Sequence, residues 1–470
     1  MSNTFQIEKS PIWIDILSVI KSGKKSIKFE YRALLHNEKE DINIFKIKAI
    51  DIVRDYATQI NEVIQIEFDM LLGDYMRRLY PYRDNLELTI KRIELEEVSS
   101  KKEKDTLIKT ERYKAIFLPD ENIVANMSEL EHIDTETINK GGLATVRLQL
   151  LNRSIEPIRI KTTRGSFRAV TQKQILNSVM VGELSKIKVD GKPAIDGFDI
   201  VDPDNNELRK HTIIPDTPSI LVSSLPTFLQ EKSGGVYNAG IGTFLQKYND
   251  KNIWFIYPLF NIKRFDKDIN KAIFFSVPEN RLAGIDRTYN LDGKLLNIIV
   301  TSKRKYKDSA GTNYMNKGVG FRMSDAKAYM KKPIIIDENG PIGDRARLNY
   351  ETSITDRKDN LNYAPKIGIS SNPFHEYSKV VMASASQIDL VWENSDYTLL
   401  YPGMPCKYVF MDREKMVELK GVILFSHTLI TLQSKNINDI VYKNVTHITI
   451  AAETYNTLPE PPTFKTAGEF

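Results

Sequence analysis

Alternation of apolar and polar residues marks the clearest stretches of this 470-residue chain. From Ile64 to Met70 the two kinds of side chain change places at every step, which is the period of a pleated strand with one buried face. Leu86 to Lys91 repeats the pattern. Between them Pro81 fixes its own φ and favours an extended Tyr80, while Asp and Asn bond to their own backbone. The sequence therefore predicts two strands joined by a turn or crossover at Tyr80–Asn85.

Strand patterns of this kind dominate the first 120 residues. Five such stretches in so short a length predict a barrel or a sandwich. The predicted strands are Ser26–Leu35, Ile42–Val53, Glu62–Met70, Leu86–Leu95 and Thr106–Leu118.

The middle of the chain mixes helix and strand patterns. Thr171 is a suitable N-cap for a helix over Gln172–Leu184, whose apolar residues share one face. Pro193–Pro218 is rich in Asp, Pro and Asn and predicts a long surface loop or a domain boundary. Leu225–Tyr248 predicts two helices broken at a Ser-Gly-Gly sequence, and Ile253–Pro258 predicts a buried strand.

Strand patterns return near the C-terminus and predict a second β domain. They comprise Leu295–Val300, Cys406–Met411, Val417–Phe425 and His447–Ala452, with further strand and turn structure over Ser426–Tyr442. Asn456–Phe470 contains three prolines and no regular period, so it predicts an extended tail. The predicted fold class is mainly β with α+β insertions.

Composition narrows the function classes only a little. The 66 Lys and Arg against 61 Asp and Glu give a net charge of +5, too small for a broad field that attracts nucleic acid. Cys406 is the single cysteine, so disulfides within the chain and cysteine-based zinc clusters are excluded. Met1–Ser10 lacks an export signal and no run approaches 18 apolar residues. We expect no membrane span and a protein kept on the cytoplasmic side until assembly.

Partial catalytic and metal motifs each lack a residue that their chemistry requires. A zinc-binding helix would need a second histidine four residues after His375, and a dinucleotide-binding loop would need a third glycine after Gly240–Gly242 or Gly318–Gly320. A calcium-binding loop that starts at Asp202 would need a turn glycine and a final acidic residue, and both are missing. The chain contains neither a phosphate-binding GxxxxGK[ST] loop nor a GxSxG nucleophile elbow. The sequence therefore predicts no enzyme, no metal and no cofactor.

A basic cluster at Lys303–Lys307 interleaves Tyr306 with four cations. Such a cluster binds a phosphate backbone or stacks on single-stranded bases in some proteins. More often, such a cluster is a strand edge that lysines protect against aggregation. Both interpretations stay open, so nucleic-acid binding is one alternative function.

Three segments resemble a known family. Gln65–Arg92, with Leu79–Asn85 at its centre, resembles the first tube-like barrel of baseplate hub proteins of contractile-tailed bacteriophages, which are relatives of the spike-bearing proteins of type VI secretion. Ser386–Trp392, Leu400–Tyr408 and Val417–Val422 are similar to the second barrel of these hubs, and Asn316–Ala326 to the segment that joins the barrels. The three resemblances occur in the family's order along the chain.

The resemblance implies two tube-like β-barrel domains with inserted and connecting domains. The implied division is 1–120 for the first barrel, 121–218 for an inserted α+β domain, 219–370 for a connecting α+β region, 371–455 for the second barrel and 456–470 for the Pro-rich tail.

The resemblance also implies a structural virion protein of the tail baseplate, assembled in the host cytoplasm. Three subunits would form a ring of six similar barrels that joins the sixfold tail tube to the threefold central spike. The implied partners are two further copies of the chain, tail tube or tube-initiator proteins, the spike, and also baseplate wedge and tape measure proteins, with DNA only in transit through the lumen. A receptor-binding or glycan-degrading tail protein, also β-rich and trimeric, is the other alternative.

Two groups of residues are implied to serve this role. The ring or tube contacts are Arg77, Arg78, Tyr80, Tyr82 and Arg83. The turn-forming residues are Pro81, Tyr401, Pro402, Gly403 and Pro405. For Arg77 and Arg78 two roles stay open: they would pair with acidic residues of a neighbouring subunit, or they would line a channel through which DNA passes.

Overall fold

In a computed structural model of the chain, β-strands make up most of the described residues. These described residues are 16, 19, 27–44, 46–96, 104–118, 143–203, 209–233, 235–237, 240–262, 264–278, 288–307, 320–323, 350–353, 386–412, 415–433 and 441–453. The predicted tail Asn456–Phe470 and most of Asn316–Ala326 lie outside them.

The strands are numbered in chain order. They are β1 (Ile27–His36), β2 (Asp41–Asn43), β3 (Lys46–Asp55), β4 (Val63–Leu71), β5 (Leu86–Glu96), β6 (Lys104–Phe117), β7 (Leu143–Asn152), β8 (Thr162–Thr163), β9 (Gly165–Val170), β10 (Lys188–Val189), β11 (Lys192–Pro193), β12 (Gly197–Ile200), β13 (Arg209–Ile214), β14 (Ile220–Leu221), β15 (Ile241–Tyr248), β16 (Lys251–Pro258), β17 (Lys271–Ser276), β18 (Tyr289–Asp292), β19 (Leu295–Lys307), β20 (Gly320–Met323), β21 (Tyr350–Ser353), β22 (Ser386–Glu393), β23 (Pro405–Asp412), β24 (Lys415–Leu432) and β25 (Tyr442–Ala452).

The helices are short. They are α1 (Leu72–Asp74), α2 (Ile155–Arg159), α3 (Gln172–Leu176), α4 (Gly182–Leu184), α5 (Leu225–Lys232) and α6 (Arg264–Lys267), with π-helical turns at Tyr75–Leu79 and Asn177–Val181 and 3-10 turns at Tyr80–Tyr82, Val222–Ser224 and Tyr397–Leu399.

Twelve strands form a closed circuit of pairing, in the order β17-β23-β24-β3-β4-β7-β6-β5-β1-β25-β22-β19, with β19 returning to β17. β24 and β25 also pair with each other, and this ribbon divides the circuit into two rings. Ring 1 contains the eight strands β24, β3, β4, β7, β6, β5, β1 and β25. Ring 2 contains the six strands β17, β23, β24, β25, β22 and β19. The predicted mainly β fold with two barrels is confirmed.

The shared ribbon runs through both rings because its two strands change partners along their length. β24 pairs with β23 through Lys415–Val422 and with β3 through Phe425–Thr431. An irregularity between Ile423 and Phe425 separates the two halves, and such bulges bend a strand and increase its twist. β25 pairs with β22 from Val445 onwards and with β1 only at Tyr442.

Both rings are filled with side chains. The alternation seen in the sequence turns Leu35, Ile66 and Phe68 into ring 1, where each is at most 1% exposed. A barrel of eight strands is just wide enough for side chains to fill, and the cavity inside ring 1 is about 30 Å³, room for roughly one water molecule. Trp392 and Phe274 fill ring 2 in the same way. Among the described residues, apolar side chains thus occupy the interiors of both rings.

A third layer packs beside the rings. α2, α3 and α5 bury their apolar faces against the three-stranded sheet β12-β16-β15. The predicted N-cap is confirmed, since Thr171 Oγ1 accepts from the backbone N–H of Gln174, whose side chain accepts from the Thr171 N–H. The helical path then runs without a break from Gln172 to Leu184.

The prediction of two helices over Leu225–Tyr248 was wrong in its second half. Only α5 forms, and Ile241–Tyr248 is strand β15. The cause is the following turn, in which Asn249 and Asp250 both adopt positive φ and bring β15 back against β16. Two-residue hairpins of this kind match the twist of the strands they connect.

Two local predictions also need correction. Pro193–Pro218 is not one loop, because it contains β12, which pairs in parallel with β16, and β13, which pairs with β9. Tyr80 is not extended but helical, with φ −58° and ψ −40°. Pro81 occupies the start of a 3-10 turn, where its missing N–H costs nothing.

The strands of the two rings come from more of the chain than 1–120 and 371–455, the segments implied to form the two barrels. β7, which lies within 121–218, pairs with β4 and β6 inside ring 1. β17 and β19, which lie within 219–370, belong to ring 2. Ser426–Tyr442, predicted as strand and turn, begins with the second half of the unbroken strand β24.

Candidate assembly interface

One end of ring 1 is covered by the segment Leu72–Asn85, here called the cap, which contains all five predicted contact residues. Its helical turns follow β4 directly and lead into β5. Leu72, Tyr75 and Leu79 point into ring 1 and are at most 8% exposed. Since the spacing of these apolar residues suits helical turns, the cap folds as a lid with one apolar face.

Arg78 fixes the cap to the turn between β1 and β2. Its guanidinium donates to both carboxylate oxygens of Glu40, at 2.7 Å each, and to Asp74 Oδ1 at 3.1 Å. The hydrogen bond from Arg78 lowers the pKa of the Glu40 carboxyl. In return Asn37 Nδ2 donates to the carbonyl oxygen of Arg78 at 2.8 Å. Arg78 is therefore committed to contacts within the subunit.

The other predicted contact residues face outwards to different degrees. Arg77 and Arg83 are exposed, and neither makes an ion pair with another described residue. Arg83 lies over the half-buried ring of Tyr80, with Cζ 4.7 Å from the ring centroid. Lys39 lies over Tyr82 in the same manner, at 5.2 Å. These cation–π contacts restrict the positions of the Arg83 and Lys39 cations.

The charges around the cap nearly balance. The turn 37–41 and the cap together carry the cations Lys39, Arg77, Arg78 and Arg83 and the anions Glu38, Glu40, Asp41, Asp74 and Asp84. Such a surface has no net positive field for a phosphate backbone. Exposed Arg beside half-buried Tyr side chains in a balanced field is instead typical of a protein–protein contact.

The predicted turn residues lie in ring 2, before β23. Pro402 and Gly403 form a turn in which Gly403 has a φ of +65°, and Pro405 opens β23 opposite Val422. A Cβ on Gly403 would lie 2.1 Å from the ring of the buried Tyr257. Gly242 approaches the same ring, where a Cβ would lie 2.3 Å away. The turn thus packs ring 2 against the three-stranded sheet.

A buried polar cluster joins the two rings, and the sequence analysis missed it. Arg54 and Arg92 are each 4% exposed, and both guanidinium groups lie over the ring of Tyr397, at 5.2 Å and 5.5 Å from its centroid. Arg54 pairs with Glu62 at 2.8 Å, and Arg92 pairs with Asp396 at 2.9 Å. Burial raises the pKa of the Tyr397 phenol well above its ordinary value, so it stays neutral.

The signal for this cluster was present in the sequence. Arg54 follows Ile50 and Ile52 at two-residue spacing, and Arg92 follows Leu88 and Ile90 in the same way. A pleated strand places such residues on one face, so both arginines occupy positions that face the core. A charge in that register indicates a buried partner.

A polar cleft of about 600 Å³ lies between ring 1 and the hairpin β10–β11. Arg153 bridges it by pairing with Glu87 of β5 and with both oxygens of Asp190 at the hairpin turn. Lys114 and Glu156 pair across it at 2.7 Å. Ion pairs thus occupy the carboxylates of Glu87, Glu156 and Asp190 in this cleft.

The part of the chain that the structure describes also bears on metal, thiol and membrane chemistry. There, no group of three or more His, Cys, Asp or Glu side chains is placed to hold a metal ion. Cys406 is fully buried, and burial raises the pKa of its thiol. None of the helices in the described ranges has the length and hydrophobicity of a transmembrane span. The side chains of Lys303–Lys307 lie outside the described ones, and only their strand, β19, is placed.

No protein-family model matches the chain, and no curated protein matches it. Solved structures align with most of it at low identity. A tail protein from Neisseria meningitidis shares 7% identity over 89% of this chain and 96% of its own, with a TM-score of 0.40. The 43 kDa tail protein of prophage MuSo2 from Shewanella oneidensis shares 9% over 90% and 98%, with a TM-score of 0.43.

A third aligned structure is an Escherichia coli component of the type VI secretion system described as similar to tail proteins of bacteriophage T4. It shares 8% identity over 91% of this chain and 80% of its own, with a TM-score of 0.38.

Proposed function

We propose that the chain is a structural protein of a contractile-tail baseplate, a hub whose trimer joins the sixfold tail tube to the threefold central spike. The observation that carries this proposal is the pair of closed strand rings fused in one subunit. Three copies around one axis present six rings, so one face suits a sixfold partner while the whole keeps threefold symmetry. The order of the three family-like segments along the sequence supports the same assignment.

The packing of the rings decides where a lumen can lie. Because side chains fill ring 1 and ring 2, DNA in transit would pass between the three subunits and not through a barrel. Closed rings also leave few unpaired strand edges, which suits a subunit that must not aggregate before assembly. The proposed location is the virion tail, with tube, spike, wedge and tape measure proteins as neighbours.

We assign the subunit or tube contact to the exposed part of the cap. Arg77 and Arg83 carry charges without an ion-pair partner among the described residues, and Tyr80 and Tyr82 supply aromatic surface beside them. Arg78 has a different part in this proposal, since its guanidinium holds the cap to Glu40. A partner that places carboxylates opposite Arg77 and Arg83 would form ion pairs with them.

The role is proposed to be non-enzymatic. The carboxylates of the polar cleft are held in ion pairs, and the sequence lacks a complete catalytic motif. A subunit whose task is to transmit position between two assemblies needs interfaces and rigidity, and both rings supply rigidity through filled cores.

Native mass spectrometry of the purified chain at increasing concentration tests the proposal. We expect a species of three times the 53.9 kDa mass of one chain. Arg77→Glu should lose this species while keeping the wild-type circular dichroism. Lys192→Glu, the same charge reversal at an exposed site on β11, should keep it.

The two parts of the proposal fail separately. A wild-type chain that stays monomeric at every concentration contradicts a trimer formed by the chain itself. A trimer that persists in the double variant Arg77→Glu, Arg83→Glu agrees with the proposed trimer but contradicts the assignment of the cap as its contact.

A further inference from the structure

The ribbon β24–β25 is a covalent but pliable connection between the rings. Its strands cross from ring 1 to ring 2 at the irregularity between Ile423 and Phe425. Two-stranded ribbons twist over a wider range than broad sheets do, and a bulge adds local bending. The ribbon alone therefore leaves a range of angles between ring 1 and ring 2, and a single angle requires further contacts.

The loop Asn394–Leu400 supplies such contacts from ring 2. It leaves β22, inserts Tyr397 into the core of ring 1, and returns towards β23. The carbonyl oxygen of Tyr397 accepts from Arg54 Nη1 at 2.9 Å, and Gln246 Nε2 donates to the carbonyl oxygen of Leu400 at 2.7 Å. The loop is thus bonded to ring 1 and to β15 at once.

Two arginines of ring 1 hold the loop in a directional way. The guanidinium of Arg54 lies 5.2 Å from the centroid of the Tyr397 ring, and that of Arg92 lies 5.5 Å from it. Arg92 also donates to Asp396 Oδ1 at 2.9 Å and to Thr398 Oγ1 at 3.1 Å. Asp396 in turn accepts from the backbone N–H and the hydroxyl of Thr398. One side chain of ring 1 therefore contacts three consecutive residues of the loop.

Buried charges favour one geometry more strongly than apolar packing does. Their desolvation is offset most fully where every partner is in place. A shifted loop would cost Arg92 its pair with Asp396 and Arg54 its bond to the Tyr397 carbonyl oxygen, although their pairs with Glu94 and Glu62 would remain. An apolar contact would instead tolerate small sliding movements. Charged groups at this junction thus select one arrangement of the loop against ring 1.

We infer that the Asn394–Leu400 loop is the element that fixes the angle between ring 1 and ring 2, with Tyr397 and Asp396 clamped by Arg54 and Arg92. The inference concerns the isolated chain and goes beyond the proposed baseplate role. The loop can fix this angle in a subunit that fails to trimerise, and a trimer can form even if the loop does not fix the angle.

Distances between spin labels on the two rings test the inference directly. Leu143→Cys on β7 and Met416→Cys on β24 place labels at exposed positions of ring 1 and ring 2, and the native Cys406 is too deeply buried to react. Electron–electron double resonance should give one narrow distance distribution for this labelled protein. Adding Tyr397→Ala should broaden the distribution and abolish the single peak, whereas Tyr397→Phe should leave it narrow.

Tyr408→Ala is the matched control, because it truncates another buried tyrosine, 3% exposed against 9% for Tyr397, that packs on Phe410 within ring 2. It should lower stability without broadening the distance distribution. Asp396→Asn keeps the shape of the loop and removes only the charge that faces Arg92, so it tests the inference if Tyr397→Ala fails to fold. A narrow distribution in folded Tyr397→Ala or Asp396→Asn would overturn the inference. So would equal broadening by Tyr408→Ala.

Discussion

The glycine at position 403 gives a sharp test of how ring 2 packs against the three-stranded sheet. Its φ of +65° lies in the left-handed region, where a side chain costs about 1–2 kcal/mol. An added Cβ would also lie 2.1 Å from the buried Tyr257 ring, whose hydroxyl donates to the Tyr56 carbonyl oxygen at 2.7 Å. Overpacking of this kind costs about 1–3 kcal/mol. We therefore expect Gly403→Ala to lower the free energy of unfolding by about 2–5 kcal/mol.

Gly293→Ala separates the two causes. Gly293 has a similar φ of +61°, but nothing lies within 4 Å of where its Cβ would be. Its substitution should cost only the backbone term of about 1–2 kcal/mol. Denaturant unfolding followed by circular dichroism measures both variants. Equal losses for Gly403→Ala and Gly293→Ala would refute the argument, as would a Gly403→Ala loss that persists unchanged when Tyr257 is replaced by Ala.

Three further predictions follow from side chains described above. Arg78→Ala should lower the free energy of unfolding by about 1–2 kcal/mol, because three partly exposed hydrogen bonds to carboxylates are lost. Arg77→Ala, the control, should change it by less than about 0.5 kcal/mol. Equal effects of the two substitutions in denaturant unfolding would contradict the internal role of Arg78. The hydrogen bond to Asp51 raises the pKa of His427 above 6.5, so this pair stabilises the fold fully below about pH 6.5 and its contribution is lost as pH rises through the raised value. Asp51→Asn should flatten that part of the stability profile, and an unchanged profile would show that other groups, including His447 on the neighbouring strand, dominate it. The thiol of Cys406 should react with Ellman's reagent only after unfolding, because burial both shields it and raises its pKa; rapid reaction of the folded protein would contradict its position in the core.

Local sequence patterns predicted the parts of the fold that depend on residues close together in the chain. Period-two alternation predicted β4 and β5, and a capping residue predicted the start of the helical path at Gln172. Partner choice over long distances could not be predicted in this way. His427 contacts Asp51, 376 residues earlier, and the alternation of residues in either segment does not identify the other as its partner. The sharing of β24 and β25 between two rings was therefore visible only in the structure.

The role of the five candidate contact residues stays a prediction, and the structure shows only how their surroundings differ. These five residues lie in one continuous segment, so a family resemblance identified them together. The distinction between Arg77 and Arg78 depends on Glu40, which belongs to a turn 38 residues away from Arg78. Arg54 and Arg92 were overlooked although each stands in the inward register of its strand. A charge at a position where the alternation requires an apolar residue was the available signal.

Negative-stain electron microscopy of the purified full chain tests the central claim most directly. Face-on class averages at high protein concentration should show a threefold ring with six lobes around an open centre, because each subunit supplies two fused strand rings. Compact single particles at every concentration, or elongated solid trimers without a central opening, would contradict the hub assignment. The elongated form would favour the receptor-binding or glycan-degrading alternative.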